Sequence, residues 1–201
     1  MGFSSTPPRP DTALALRTID LWAQRADAAL ILLEPPWAAL LAGERPETLV
    51  RNDPLGLADY YRAKGLRIVA SIDPTDGLDR SSDSRALVTA GRSLTDPAVR
   101  ALYARYVGAF ASLVRPEYLG VASETNLIRA IARPGLYSAV VEAAGMAAAE
   151  ARTAHAGARL LSLPPDSILS LFAALGLVDV NLAPKPALAA WDATFRRALG
   201  P

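Results

Sequence analysis

Three short apolar runs, each stopping at an acidic or polar residue, constrain this chain more than any other feature. Ala28 to Leu33 stops at Glu34, Leu66 to Ile72 stops at Asp73, and Tyr118 to Ala122 runs into Ser123 and Glu124. Short, continuous apolar runs suit strands buried on both faces, as in a parallel sheet. Stretches with helical spacing lie between them. Ala15, Ile19, Trp22 and Ala26 form one; Leu57, Tyr60, Tyr61 and Lys64, stopped by Gly65, form a second. The clearest runs from Asp96-Pro97 through Val99, Leu102, Tyr106, Phe110 and Leu113 to Pro116. An Ala-rich helix is expected from Pro134 to about His155, with Gly157 as its stop.

Strand followed by helix, repeated with short connections, predicts an α/β fold with parallel strands and outer helices. Residues 1–201 are read as a single domain, since 51% hydrophobic and 20% charged residues suit one globular core. The polar stretch from Gly43 to Pro54 is read as a loop, and so is Leu78 to Ser93, rich in Ser, Asp and Arg. A loop of the second length beside strand ends is often functional.

Ligands of parallel α/β folds meet the carboxyl ends of the strands. Glu34, Asp73, Glu124 and Asn126 are therefore the candidate site residues, with Trp37 beside Glu34. Trp37 has two readings of equal weight: an aromatic platform for a sugar ring, or a side chain packed beneath its loop. Glu124 taken alone is equally a loop carboxylate or a helix cap. A third arrangement sets Asp73, Asp76 and Glu124 around a divalent metal as oxygen ligands.

Several functions are disfavoured. A net charge of +1 without a basic stripe argues against nucleic-acid partners. The absence of cysteine removes thiolate catalysis and Cys-based zinc sites. His155 is the only histidine and falls at a helix end, where a structural role suits it. Thr6-Pro7-Pro8-Arg9-Pro10 offers few free amides, so no phosphate loop follows the first expected strand. No apolar run approaches the length of a membrane span. The first residues lack the order of a signal peptide, and Gly2-Phe3 already reads as a strand end, which points to a truncated start.

The residues Gly2-Phe3, Pro7-Pro8-Arg9-Pro10, Glu34-Pro35-Pro36-Trp37, Ser71-Ile72-Asp73 and Tyr118-Leu119-Gly120-Val121-Ala122-Ser123-Glu124-Thr125-Asn126 together resemble (β/α)8-barrel glycoside hydrolases. The resemblance is to the clan with two catalytic glutamates, on strands four and seven, and within it to the endo-β-1,4-galactanases. It implies that Glu124 is the general acid/base, that Glu34, Trp37, Asp73 and Asn126 line a site for a β-linked poly- or oligosaccharide, and that no cofactor is used. It also implies work outside the cytoplasm if the start is truncated. Ser123 stands where the clan has Asn.

The tail from Phe172 to Leu199 resembles the last strand and helix of such barrels. Only Ala158 to Leu171 then remains for strands five to seven, so a shortened (β/α)8 barrel is expected. No glutamate follows Glu150, so the nucleophile's place is empty of its usual residue. Two readings follow: a hydrolase that has recruited another carboxylate, or a non-catalytic carbohydrate-binding relic. An open barrel exposes strand edges and apolar faces, so the second reading predicts homo-oligomerisation.

Overall fold

In the computed structural model, residues 2–3, 11–23, 26–157 and 159–160 are described. The expected elements after Leu160, including the tail helix and Asp166 and Asp179, lie outside the described residues, as do Pro7 to Pro10 and the side chain of Trp22.

The described chain is α/β. In order it forms β1 (Gly2–Phe3), α1 (Thr12–Ala23), β2 (Ala28–Leu33), α2 (Trp37–Leu41), α3 (Pro46–Asn52), α4 (Pro54–Ala63) and β3 (Arg67–Ile72). There follow α5 (Arg85–Thr89), α6 (Pro97–Val114), β4 (Tyr118–Gly120), α7 (Thr125–Ile131), α8 (Leu136–Ala154) and β5 (Arg159–Leu160). The five strands form one parallel sheet in the order β1-β2-β3-β4-β5. Each strand thus lies beside the next in sequence, with none of the order reversal that marks a doubly wound nucleotide-binding sheet.

The register places the three acidic strand ends near one level. Leu33 pairs with Ile72, so Glu34 and Asp73 leave adjacent strands together, and the Asp73 amide donates to the Leu33 carbonyl at 2.9 Å. Ser71 pairs with Gly120, which puts Glu124 a few residues beyond on the next strand.

One face of the sheet meets the helices. Ala29 and Ile31 of β2, Ile68, Ala70 and Ile72 of β3, and Leu119 of β4 are all buried. The alternate residues Leu30 and Leu32 are 42% and 68% exposed, so among the described residues the second face of β2 is open. The core is completed by α6 against α8. Gly108 lies so close to α8 that a Cβ there would stand 3.2 Å from Cβ of Glu150. Ala143, Ala147 and Ala151 keep the facing side of α8 small and fully buried.

The longest helices start and stop for local reasons. Asp96 caps α6 by accepting from the Ala98 amide at 2.8 Å, and Pro97 fills the first helical position. Arg115, at φ 50°, turns the chain out of the helix toward Pro116. Helix α8 begins at Leu136 rather than at Pro134, because Gly135 takes φ 85° as its N-cap.

Two stretches read as loop carry helices, and a further short helix follows Glu124. Residues 46–52, read as loop, form α3: Pro46 starts it and Val50 is fully buried beneath it. Within the long loop after β3, Ser84 caps the short helix α5. Directly after Glu124 comes α7, anchored by Ile128, which is fully buried. These helices are too short for their periodicity to stand out in sequence, and single buried side chains hold them.

Candidate active site at the strand ends

The site is organised around Arg80, in the loop between β3 and α5. Its side chain is 8% exposed and reaches two strand ends at once. Nη1 donates to Asp73 Oδ2 at 2.5 Å and Nε donates to Glu124 Oε2 at 2.7 Å. Nη1 also donates to Thr75 Oγ1 at 2.9 Å and to the Asp76 carbonyl at 3.3 Å. Burial opposes the charge on this guanidinium, but the hydrogen bonds and fields of Glu124 and Asp73 outweigh it and raise its pKa above the ordinary arginine value.

The loop that carries Arg80 is fastened by its own carboxylates. Asp73 accepts from the Thr75 amide and hydroxyl at 3.1 and 2.8 Å. Asp76 accepts from the amides of Leu78 and Asp79. Asp79 accepts from the Ser81 amide and from the hydroxyls of Ser81 and Ser82, and the Ser81 hydroxyl in particular lowers its pKa. Thr75 and Asp83 form an isolated antiparallel bridge. The side chain of Asp83 is fully buried, accepting from the Leu94 amide at 2.8 Å and from Arg133. Asx turns of this kind are what Asp and Ser offer a chain without regular structure.

Glu124 is the N-cap residue of α7 and has φ 49°, a left-handed conformation that is uncommon outside glycine. Its side chain is 52% exposed, against 14% for Asp73, so Glu124 is the solvent-facing partner of the pair. Beneath them, Ser71 and Ser123 share a hydrogen bond of 3.1 Å. Gly120 makes room for it, since a Cβ there would stand 3.0 Å from Ser71 Oγ. Tyr103 of α6, fully buried, lies within hydrogen-bonding distance of the carbonyls of Ile72 and Val121, at 2.9 and 2.6 Å. Burial raises its phenol pKa well above the ordinary value, so it serves as a neutral clamp on the ends of β3 and β4.

The sequence-predicted residues divide. Asp73 and Glu124 are brought together. Glu34 stands on the neighbouring strand end and accepts a hydrogen bond from Ser84 Oγ. Asn126 lies in the first turn of α7, and its Oδ1 is buried without a hydrogen-bond partner among the described residues. Trp37 is not a platform. Its indole is 1% exposed and packs on Tyr103, ring centroids 6.2 Å apart, so neither face is open to a sugar. The reason is that α2 begins at Trp37 and turns the ring into the core.

The metal arrangement is also corrected. Among the described residues no group of three His, Cys, Asp or Glu side chains is placed to hold a metal ion. A guanidinium already joins Asp73 to Glu124, and Asp76 is spent on its own loop. No helix of the described residues is long and apolar enough to cross a membrane.

Sequence reasoning missed Arg80. Its only sequence signal is its position, the first arginine after the acidic end of β3, among Asp73, Asp76, Asp79 and Asp83.

No family model and no curated protein matches the chain. Among solved structures it is similar to the virulence factor SghA from Agrobacterium tumefaciens, with a TM-score of 0.52 and 14% identity. The match covers 72% of this chain and 34% of that one, so the chain spans about a third of the protein it resembles. At this identity the likeness is one of fold.

Proposed function

We propose that this chain is a carbohydrate-active domain of the glycoside hydrolase type, built as an arc of a (β/α)8-like barrel, with Glu124 as the residue that transfers protons at the glycosidic oxygen. The observation that carries the reading is the convergence of Asp73 and Glu124, from adjacent strand ends, on the guanidinium of Arg80. Glycoside hydrolysis of the usual kind needs two carboxylates flanking the scissile bond. The sequential parallel strand order and the resemblance of residues 118–126 to the fourth-strand motif point the same way.

In this reading Glu124, the exposed member, faces the substrate. Paired with the guanidinium it is a carboxylate, the base form. To act as acid it takes a proton from solvent, turns away from Arg80 and gives that proton to the departing oxygen as Asp73 or water bonds to the anomeric carbon; as a base it takes one back from water. Its left-handed backbone costs on the order of 1 kcal/mol and is retained because α7 and Arg80 both hold it there. Asp73 is the second carboxylate to test, since Arg80 ties it to the same place. Glu34 and Asn126 border the site and bind hydroxyl groups of a β-linked sugar.

The test is hydrolysis of aryl glycosides and plant polysaccharides by purified protein, beside Glu124→Gln and Asp73→Asn. Turnover that falls at least about a hundredfold in Glu124→Gln supports the assignment. A folded sample without turnover removes the catalytic half of the proposal.

A second reading, a carbohydrate-binding relic that closes by self-association, is favoured by Leu30 and Leu32, which lie exposed on the open face of the sheet. Sedimentation equilibrium separates the two: a dimer or larger species that binds sugar without turnover supports it, and a monomer counts against it.

A further inference from the structure

Beside the strand ends runs a groove of ≈ 660 Å³ between α2 and α5, which the hydrolytic reading does not use. Its walls are Ala38 and Leu41 from α2, Ala86, Thr89 and Ala90 from α5 and its C-cap, with Glu34 and Arg85 as the charged groups. That is the composition of a small-molecule site: a mostly apolar surface with a few polar groups to fix orientation.

Glu34 belongs to both places. It leaves β2 level with Asp73, and it also lines the groove. Ser84 donates to Glu34 Oε1, which leaves Oε2 without a partner among the described residues. Arg85, exposed, likewise has no ion pair among the described residues, and it does not pair with Glu34 across the groove. A carboxylate and a guanidinium that share an apolar groove without neutralising one another present one acceptor and one cationic donor to whatever enters.

We infer that the groove holds the leaving-group half of the substrate, and that this half is an apolar chain or body ending in an anionic group, rather than a further run of sugar. The inference rests on the hydrolytic reading for its sugar half alone. The substrate then lies with its sugar over Asp73 and Glu124, a hydroxyl near the junction donating to Glu34, the apolar part along Ala38, Leu41 and Ala86, and the anionic end on Arg85. A polysaccharide chain, with hydroxyls on every edge, would find Thr89 and the two charged groups but leave its other hydroxyls facing alanine and leucine without hydrogen bonds.

Isothermal titration with methyl, hexyl and 5-carboxypentyl β-galactosides, and with hexanoate alone, tests this. The expected result is that the hexyl compound binds at least about tenfold tighter than the methyl compound, the gain from burying roughly two of its five extra methylene groups. The 5-carboxypentyl compound should bind tighter still, and that last gain should vanish in Arg85→Gln. Ala38→Trp fills the groove at an exposed helical position and should abolish the preference for the longer chains. Equal affinity for the methyl and hexyl compounds, or a preference that survives Ala38→Trp, overturns the inference. So does failure of all four ligands to bind. Hexanoate that binds the wild type, loses binding in Ala38→Trp, and is matched by no affinity for the methyl galactoside would keep the groove and refute the sugar reading. Thermal unfolding of each variant shows that the fold is kept.

Discussion

Replacing Arg80 by methionine removes the guanidinium but keeps most of the apolar stem, and so isolates the value of the charge between the two strand ends. The Asp73 limb is buried, with side chains 8% and 14% exposed; the Glu124 limb reaches solvent. Breaking a buried pair by deleting one partner costs about 3–5 kcal/mol, because a charge is left buried and unpaired. A surface pair contributes about 0–1 kcal/mol. Asp73 keeps the amide and hydroxyl of Thr75, which shelter the orphaned carboxylate. The loss is therefore set at about 2–3 kcal/mol, just below the range for a fully buried pair. For a chain of this size that lowers Tm by roughly 5–10 °C. Glu124→Gln should cost less than about 1 kcal/mol, since only the exposed limb is weakened. Adding Asp73→Asn to Arg80→Met should recover part of the loss, giving a coupling of about 1–2 kcal/mol in a double-mutant cycle read by urea unfolding. An Arg80→Met protein that melts within about 2 °C of wild type, or a strictly additive cycle, would refute the reasoning.

Two further outcomes follow from the supports of the site. Tyr103→Phe removes a fully buried hydroxyl from the carbonyls of Ile72 and Val121, and should lower stability by about 1–2 kcal/mol in chemical denaturation without disturbing the packing of the ring on Trp37. Asp96→Ala should lower Tm at neutral pH by uncapping α6. The Ala98 amide, helped by Arg92, holds the Asp96 carboxyl below its ordinary value of 3.8, so the benefit is complete above that value and fades as the pH falls below it. Melting curves of the two proteins should accordingly converge in acid, and a gap that persists there would be evidence against the cap.

Strands β2 to β4 and the acids at their ends are legible in the sequence because each run is short and mainly apolar, with an acid directly after it or one serine beyond. The pairing of Asp73 with Glu124 is legible only as far as both stand at strand ends. What joins them is not, because Arg80 belongs to a loop whose shape comes from hydrogen bonds of Asp76, Asp79 and Asp83 rather than from any repeating pattern. Trp37 shows a different limit. An aromatic residue beside a carboxylate reads alike whether its ring turns outward or inward, and the first turn of α2 together with Tyr103 decides it. The short helices α3, α5 and α7 escape for a third reason: each has one fully buried side chain, Val50, Leu87 or Ile128, and its place in the core comes from tertiary packing rather than from a repeating pattern.

The strand order has a consequence for how the chain is made. Because β1 to β5 pair strictly in sequence, every strand finds its partner in the segment synthesised just before it, and no strand need wait for a distant one. Loop closures stay short and the sheet can grow by one strand and one helix at a time while the chain is emerging from the ribosome. Such vectorial assembly leaves two edge strands at each stage, β1 and the newest strand, and of these only the newest moves outward as the sheet grows, so it is there that a nascent-chain chaperone would have to act.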